Sequence, residues 1–149
     1  MKRALLALAV GLWWLLGVPL SAWAARTVSV AVISAADDPR YASRRMEQGY
    51  PGQPQGRAVE GMQLAAKDAE FELGESELAL SVKDVVLPTA ADLPMALAEL
   101  KKAEVHYLVA DLPEPALREL VRTAPAVLGS VIVFNTGLAE DSLRADACS

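Results

Sequence analysis

Thr27-Val28-Ser29-Val30-Ala31-Val32-Ile33-Ser34 is the stretch on which the fold turns. Its β-branched residues are stiff at the first side-chain torsion and favour extended backbone. Nearly every position is small or apolar, so neither face is marked for water, and the segment reads as a strand buried on both sides. Three more segments share this character: Leu78-Ala79-Leu80-Ser81-Val82-Lys83-Asp84-Val85-Val86-Leu87 ended by Pro88, then Val105-His106-Tyr107-Leu108-Val109-Ala110, then Val131-Ile132-Val133-Phe134.

Helical patterns fill the intervals. Over residues 57–73, Val59, Met62, Ala65, Ala66, Ala69 and Leu73 recur at helical spacing, and Gly74 is placed to stop the helix. Asp92 is suited to cap a helix opening on Leu93 and Pro94, with Leu97, Leu100 and Ala103 in its apolar stripe and Lys101 and Lys102 in its last turn. After Asp111-Leu112-Pro113, a third helix carries Ala116, Leu117, Leu120, Val121 and Ala124. The order β-α-β-α-β-α-β with short apolar strands predicts an α/β fold: a parallel sheet with helices on both faces.

Residues 1–24 read differently. Lys2 and Arg3 precede an uncharged apolar run broken by Pro19, and Ala22-Trp23-Ala24 is a small-x-small cleavage site. The pattern predicts a cleaved signal peptide and a periplasmic mature chain from residue 25. The competing reading is a retained anchor, because the run is long enough to span a bilayer; Pro19 and the small-residue site favour cleavage. No cysteine lies near that site, which excludes lipid attachment there, and the lone Cys148 reads as a small buried residue or as a thiol whose partner lies beyond Ser149. All three tryptophans (Trp13, Trp14, Trp23) fall in the export segment, so the mature chain has no indole to stack on a ligand.

Charge narrows the partners. With 14 basic against 19 acidic residues, a net of −5, the chain lacks the clustered positive face that phosphate backbones require, which argues against a nucleic-acid partner. The densest basic stretch, Arg40, Arg44 and Arg45, is interleaved with Asp37, Asp38 and Glu47 and reads as a solvated segment of the long Pro- and Gly-rich loop over residues 35–56.

The common enzymatic signatures are missing. Ser34-Ala35-Ala36-Asp37-Asp38 follows the first strand where a dinucleotide fold would need glycines, and there is no phosphate-binding G-x-x-x-x-G-K-[ST] and no G-x-S-x-G elbow. His106, the single histidine, lies inside a strand pattern and reads as structural. Asp37-Asp38 lacks the alternating oxygen ligands of a calcium loop, so it reads as loop solvation or helix capping. The expectation is a protein that is not an enzyme and carries no cofactor or metal.

A parallel sheet binds ligands outside the carboxyl ends of its strands, at the switch in strand order. That rule selects residues 34–38, 87–89, 111–114 and 135–137. Within them Ser34, Asp111, Asn135 and Thr136 are the candidate ligand-binding residues: Asp111 for a hydroxyl or amine, Asn135 and Thr136 for amide and hydroxyl hydrogen bonds. Structural alternatives stand beside these roles, with Asp111 capping the next helix and Asn135-Thr136-Gly137 forming a turn.

The first strand, Arg57-Ala58-Val59-Glu60-Gly61-Met62-Gln63-Leu64-Ala65 and the third strand together resemble the amino-terminal lobe of type I periplasmic solute-binding proteins of branched-chain amino acid type ABC importers. Asp38-Pro39-Arg40-Tyr41 with Arg44-Arg45, Gly56-Arg57-Ala58, Val109-Ala110-Asp111-Leu112-Pro113, Phe134-Asn135-Thr136-Gly137 and Asp141-Ser142-Leu143-Arg144 are similar to the subset associated with PQQ-dependent (quinoprotein) alcohol dehydrogenase systems. The resemblance covers nearly all of residues 27–149. It implies a periplasmic substrate-binding component that closes around a small solute and delivers it to an inner-membrane ABC permease. Family members are more than twice as long and hold the ligand between two lobes, so residues 25–149 are expected to be a truncated first lobe. Amino-acid-binding relatives follow the third strand with a Gly/Ser-rich turn that holds the ligand carboxylate. Asp111-Leu112-Pro113-Glu114 has no hydroxyl, and Pro113 has no N–H, which points to an uncharged or cationic ligand, or to no conventional solute. The alternative is a non-transport accessory that docks onto a periplasmic dehydrogenase or cytochrome.

Overall fold

A computed structural model describes residues 26–41 and 56–138. The export segment with its cleavage site, the middle of the long loop, the motif at 141–144 and Cys148 lie outside these residues.

Strand β1 (Arg26–Ala35) is followed by a 3-10 turn (Pro39–Tyr41), helix α1 (Ala58–Asp68), a short helix α2 (Glu70–Glu75) and β2 (Leu78–Leu87). A second 3-10 turn (Ala90–Asp92) leads into α3 (Leu93–Lys102), then β3 (Tyr107–Asp111), α4 (Glu114–Leu128) and β4 (Ile132–Asn135). The four strands form one sheet in the order β2-β1-β3-β4, with every neighbouring pair parallel. The α/β architecture expected from the sequence is thus present, with helices on both faces.

Alternation along the strands divides the sheet into two faces. Ala31, Ile33, Leu108 and Ala110 point to the larger core, where Leu97 and Leu100 of α3 and Leu117, Leu120 and Ala124 of α4 pack on them. Val30, Val32 and Val109 point the other way, against Ala58, Val59 and Met62 of α1. Helix α1 covers only part of that second face. Over β3 and β4, Tyr107, Ile132 and Phe134 are 38%, 52% and 51% exposed.

Several details depart from the sequence reading. The helical pattern over residues 57–73 is split at Ala69 rather than continuous. Gly74 lies inside α2 and does not stop it; the left-handed residue after that helix is Glu77 (φ 55°), whose N–H donates to the Gly74 carbonyl. Helix α3 ends the same way. Glu104 (φ 51°) donates to Lys101 O and Val105 N–H reaches back to Leu100 O, while the buried Val105 and Leu100 side chains join the core. That capping motif takes Val105 out of β3, which starts at Tyr107 instead.

Candidate functional site

The strand order reverses between β1 and β3, because β2 lies on one side of β1 while β3 and β4 lie on the other. The crevice outside their carboxyl ends is the position where sheets of this kind bind ligands. Ser34 and Asp111 are register partners there. They continue the Val30-Val32 and Val109 series, so both side chains lie on the α1 face of the sheet. Each is 1% exposed.

A buried carboxylate requires partners, and Asp111 has several. Tyr41 donates its hydroxyl at 2.8 Å to Asp111 Oδ1 and Oδ2. Arg40 Nη2 donates to Oδ1 at 3.1 Å, and the Ala58 N–H at the start of α1 approaches Oδ2 at 3.4 Å. Helix α1 has no side-chain cap of its own, since its N-cap residue is Arg57. A carboxylate from the distant β3 therefore faces the positive end of its dipole. The helix after β3 has Pro113 at its N-cap, so Asp111 serves α1 and not its own successor.

Asp38 completes the cluster. Its side chain is buried, accepting the Arg40 backbone N–H at 2.9 Å and a paired contact from Arg40 Nε (3.0 Å to Oδ2) and Nη2 (2.5 Å to Oδ2). One guanidinium thus bridges two carboxylates that have almost no contact with water. Burial pushes the Asp38 carboxyl up, but its hydrogen bonds with Arg40 and that residue's charge outweigh burial and hold it below the usual carboxylate range. The Arg40 guanidinium is raised in turn, chiefly by its hydrogen bonds with Asp38. Tyr41 is pushed up to about 12 by burial, then by the hydrogen bond to Asp111 and that carboxylate's charge.

Arg57 closes the other side. It donates to the Ala35 and Ala36 carbonyls at 2.8 and 3.2 Å, and its guanidinium lies 4.8 Å from the centre of the Tyr41 ring. Gly137 packs against Arg40: a Cβ there would fall 2.1 Å from Arg40 Nη1 and 3.7 Å from Asp111 Oδ1.

The four residues singled out from the sequence all lie at this rim but do different work. Asp111 sits at the centre of the ionic cluster. Ser34 is beside it, and its Oγ has no hydrogen-bond partner. Thr136 is near, donating its hydroxyl to the Ala110 carbonyl at 3.2 Å. Asn135 pairs with Ala110, so its side chain lies on the opposite face of the sheet from Asp111. Its Oδ1 accepts the N–H groups of Gly137 and Leu138 and its Nδ2 donates to Leu138 O, which makes it the organiser of a turn.

The sequence reading missed Arg40, Tyr41 and Asp38, which it took for a solvated loop. Asp38-Pro39-Arg40-Tyr41 did carry a signal, as one of the motifs of the resemblance. His106 is exposed, its Nδ1 donating to Ser130 O at 2.9 Å. No group of three or more metal-ligating side chains is found among the described residues, and no helix among them is long and apolar enough to cross a membrane. Comparison with known protein families, with curated proteins and with solved structures finds no match to this chain.

Proposed function

We propose that this chain is the solute-recognising lobe of a periplasmic ABC-importer binding protein, linked to a quinoprotein alcohol-oxidation system, and that it holds a small solute against the rim between β1 and β3. The observation that carries this reading is the placement of Ser34 and Asp111 side by side at the strand-order switch of an all-parallel sheet. There a polar pair continues the apolar Val30, Val32 and Val109 series and meets the N-terminus of α1. Its further support is the sequence resemblance and the export-type N-terminal segment. In this reading the mature chain works in the periplasm, and an inner-membrane permease receives the solute.

Calorimetric and thermal-shift titration of the full chain with short alcohols, diols, amines and amino acids tests the proposal. Saturable binding of one class, weakened by Asp111→Asn, is the expected result. A folded chain that gives no heat and no shift with any of them would discard solute binding and leave the accessory reading, in which the protein docks onto a periplasmic redox partner.

A further inference from the structure

Ser34 carries a buried hydroxyl with no partner on β1, one of the two inner strands of the sheet. Proteins rarely leave such a group unpaired, because desolvation is not repaid. Its strand partner is Asp111, on the same face, and the group seated over Asp111 is the Arg40 guanidinium. That guanidinium rests against Asp38, Asp111 and the bare backbone of Gly137, with Tyr41 alongside. Arg40 is nevertheless 22% exposed, so this seat opens to solvent on one side.

The seat is built for a cation. Two carboxylates almost fully removed from water face it, and glycine is the residue that leaves room for it at position 137. Its occupant is held by a short surface loop rather than by a secondary-structure element of any length, because Arg40 belongs to the three-residue turn Pro39–Tyr41. Building on the solute-binding reading above, we infer that the Arg40 seat is a cation subsite: a ligand with a guanidinium or primary ammonium head displaces Arg40, bridges Asp38 and Asp111, and donates a further hydrogen bond to Ser34 Oγ. Arg40 then acts as a tethered competitor that keeps both carboxylates paired when no ligand is present.

Four compounds that differ only in the head group test this: butylguanidine, butylamine, butanol and butyrate, each titrated against the full chain and its Arg40→Ala variant by thermal shift and calorimetry. Both cations are expected to bind Arg40→Ala saturably, and to bind wild type roughly tenfold or more weakly, since a tethered guanidinium competes at high effective concentration. Butanol and butyrate are expected to bind neither. Equal affinity of wild type and Arg40→Ala for the cations, or indifference to head-group charge, overturns the inference.

Ser34→Ala gives a second arm that leaves the ion cluster intact. Loss of an unpaired hydroxyl should keep or raise the melting temperature while weakening butylguanidine binding; a lowered melting temperature with unchanged binding overturns the assignment. Failure here is separable from failure of the broader reading. Binding of uncharged solutes alone to wild type removes the cation subsite and leaves solute binding intact. Butylguanidine binding to Arg40→Ala, with no compound binding wild type, upholds the seat and removes solute transport.

Discussion

Tyr41 shows how a single phenol holds a loop to a sheet. Its hydroxyl donates to both oxygens of Asp111, 70 positions away in sequence, and that carboxylate is buried. Tyr41→Phe removes the donor while the acceptor stays buried, so a loss of about 1–3 kcal/mol is expected in urea unfolding. The same residue sets an alkaline limit. Its folded pKa, about 12, lies above the ordinary 10.0, so its contribution is fully present below pH 10 and is lost as pH rises towards 12. Phenolate absorbance should show a late-titrating step in wild type that is absent from Tyr41→Phe. Asp38 sets the opposite limit. Its carboxyl is held below 3.8, so the stability it contributes is present above that value and is lost as pH falls through the lower folded one. In Arg40→Gln the burial of Asp38 is no longer offset, and the acid limb of a plot of urea midpoint against pH should flatten. Asp111 was legible as a rim residue because the end of a parallel strand is a predictable place. The burial of Asp38 and Arg40 was not, since charged residues among prolines and glycines look solvated until a strand 71 positions beyond Arg40 supplies its second carboxylate, Asp111.

At the scale of elements, the sequence pattern located all four strands, and β2 has the limits read from its apolar run. Boundaries slipped where capping geometry outweighed composition. Val105 is as β-prone as its neighbours, but its N–H and side chain are used to close α3. The left-handed positions that end α2 and α3 are both glutamate, a residue that carries a Cβ penalty there, so neither announced itself in the sequence. Glu104→Gly should therefore raise the melting temperature, gaining up to about 1 kcal/mol. Helix α4 runs through Pro125 to Leu128 although proline has no N–H for the carbonyl one turn back. Pro125 is exposed, so Pro125→Ala restores that bond without opening the core, and a gain of about 1 kcal/mol or more is expected in the same measurement.

Across the whole molecule, burial is uneven. The face under α3 and α4 is closed, and Leu108→Ala at its fully buried centre should cost about 2–5 kcal/mol. On the other face Tyr107, Ile132 and Phe134 form an apolar strip next to α1 that no described residue covers. The full chain should bind a hydrophobic dye through this strip, and the double variant Ile132→Thr, Phe134→Thr should bind less of it while keeping the circular dichroism of wild type. This asymmetry was invisible in the sequence, where Val131-Ile132-Val133-Phe134 looks as suited to burial as the first strand. Which of them a helix covers depends on crossover geometry rather than on strand composition. The parallel ladders carry one more consequence. Arg26 pairs with Leu78, and Val30 pairs with Tyr107, so β1 stays without neighbours until long stretches of chain have been looped back on themselves. Contacts of such high order make for slow folding. A newly made chain would thus remain threadable through a narrow pore for longer than a helical bundle of the same length.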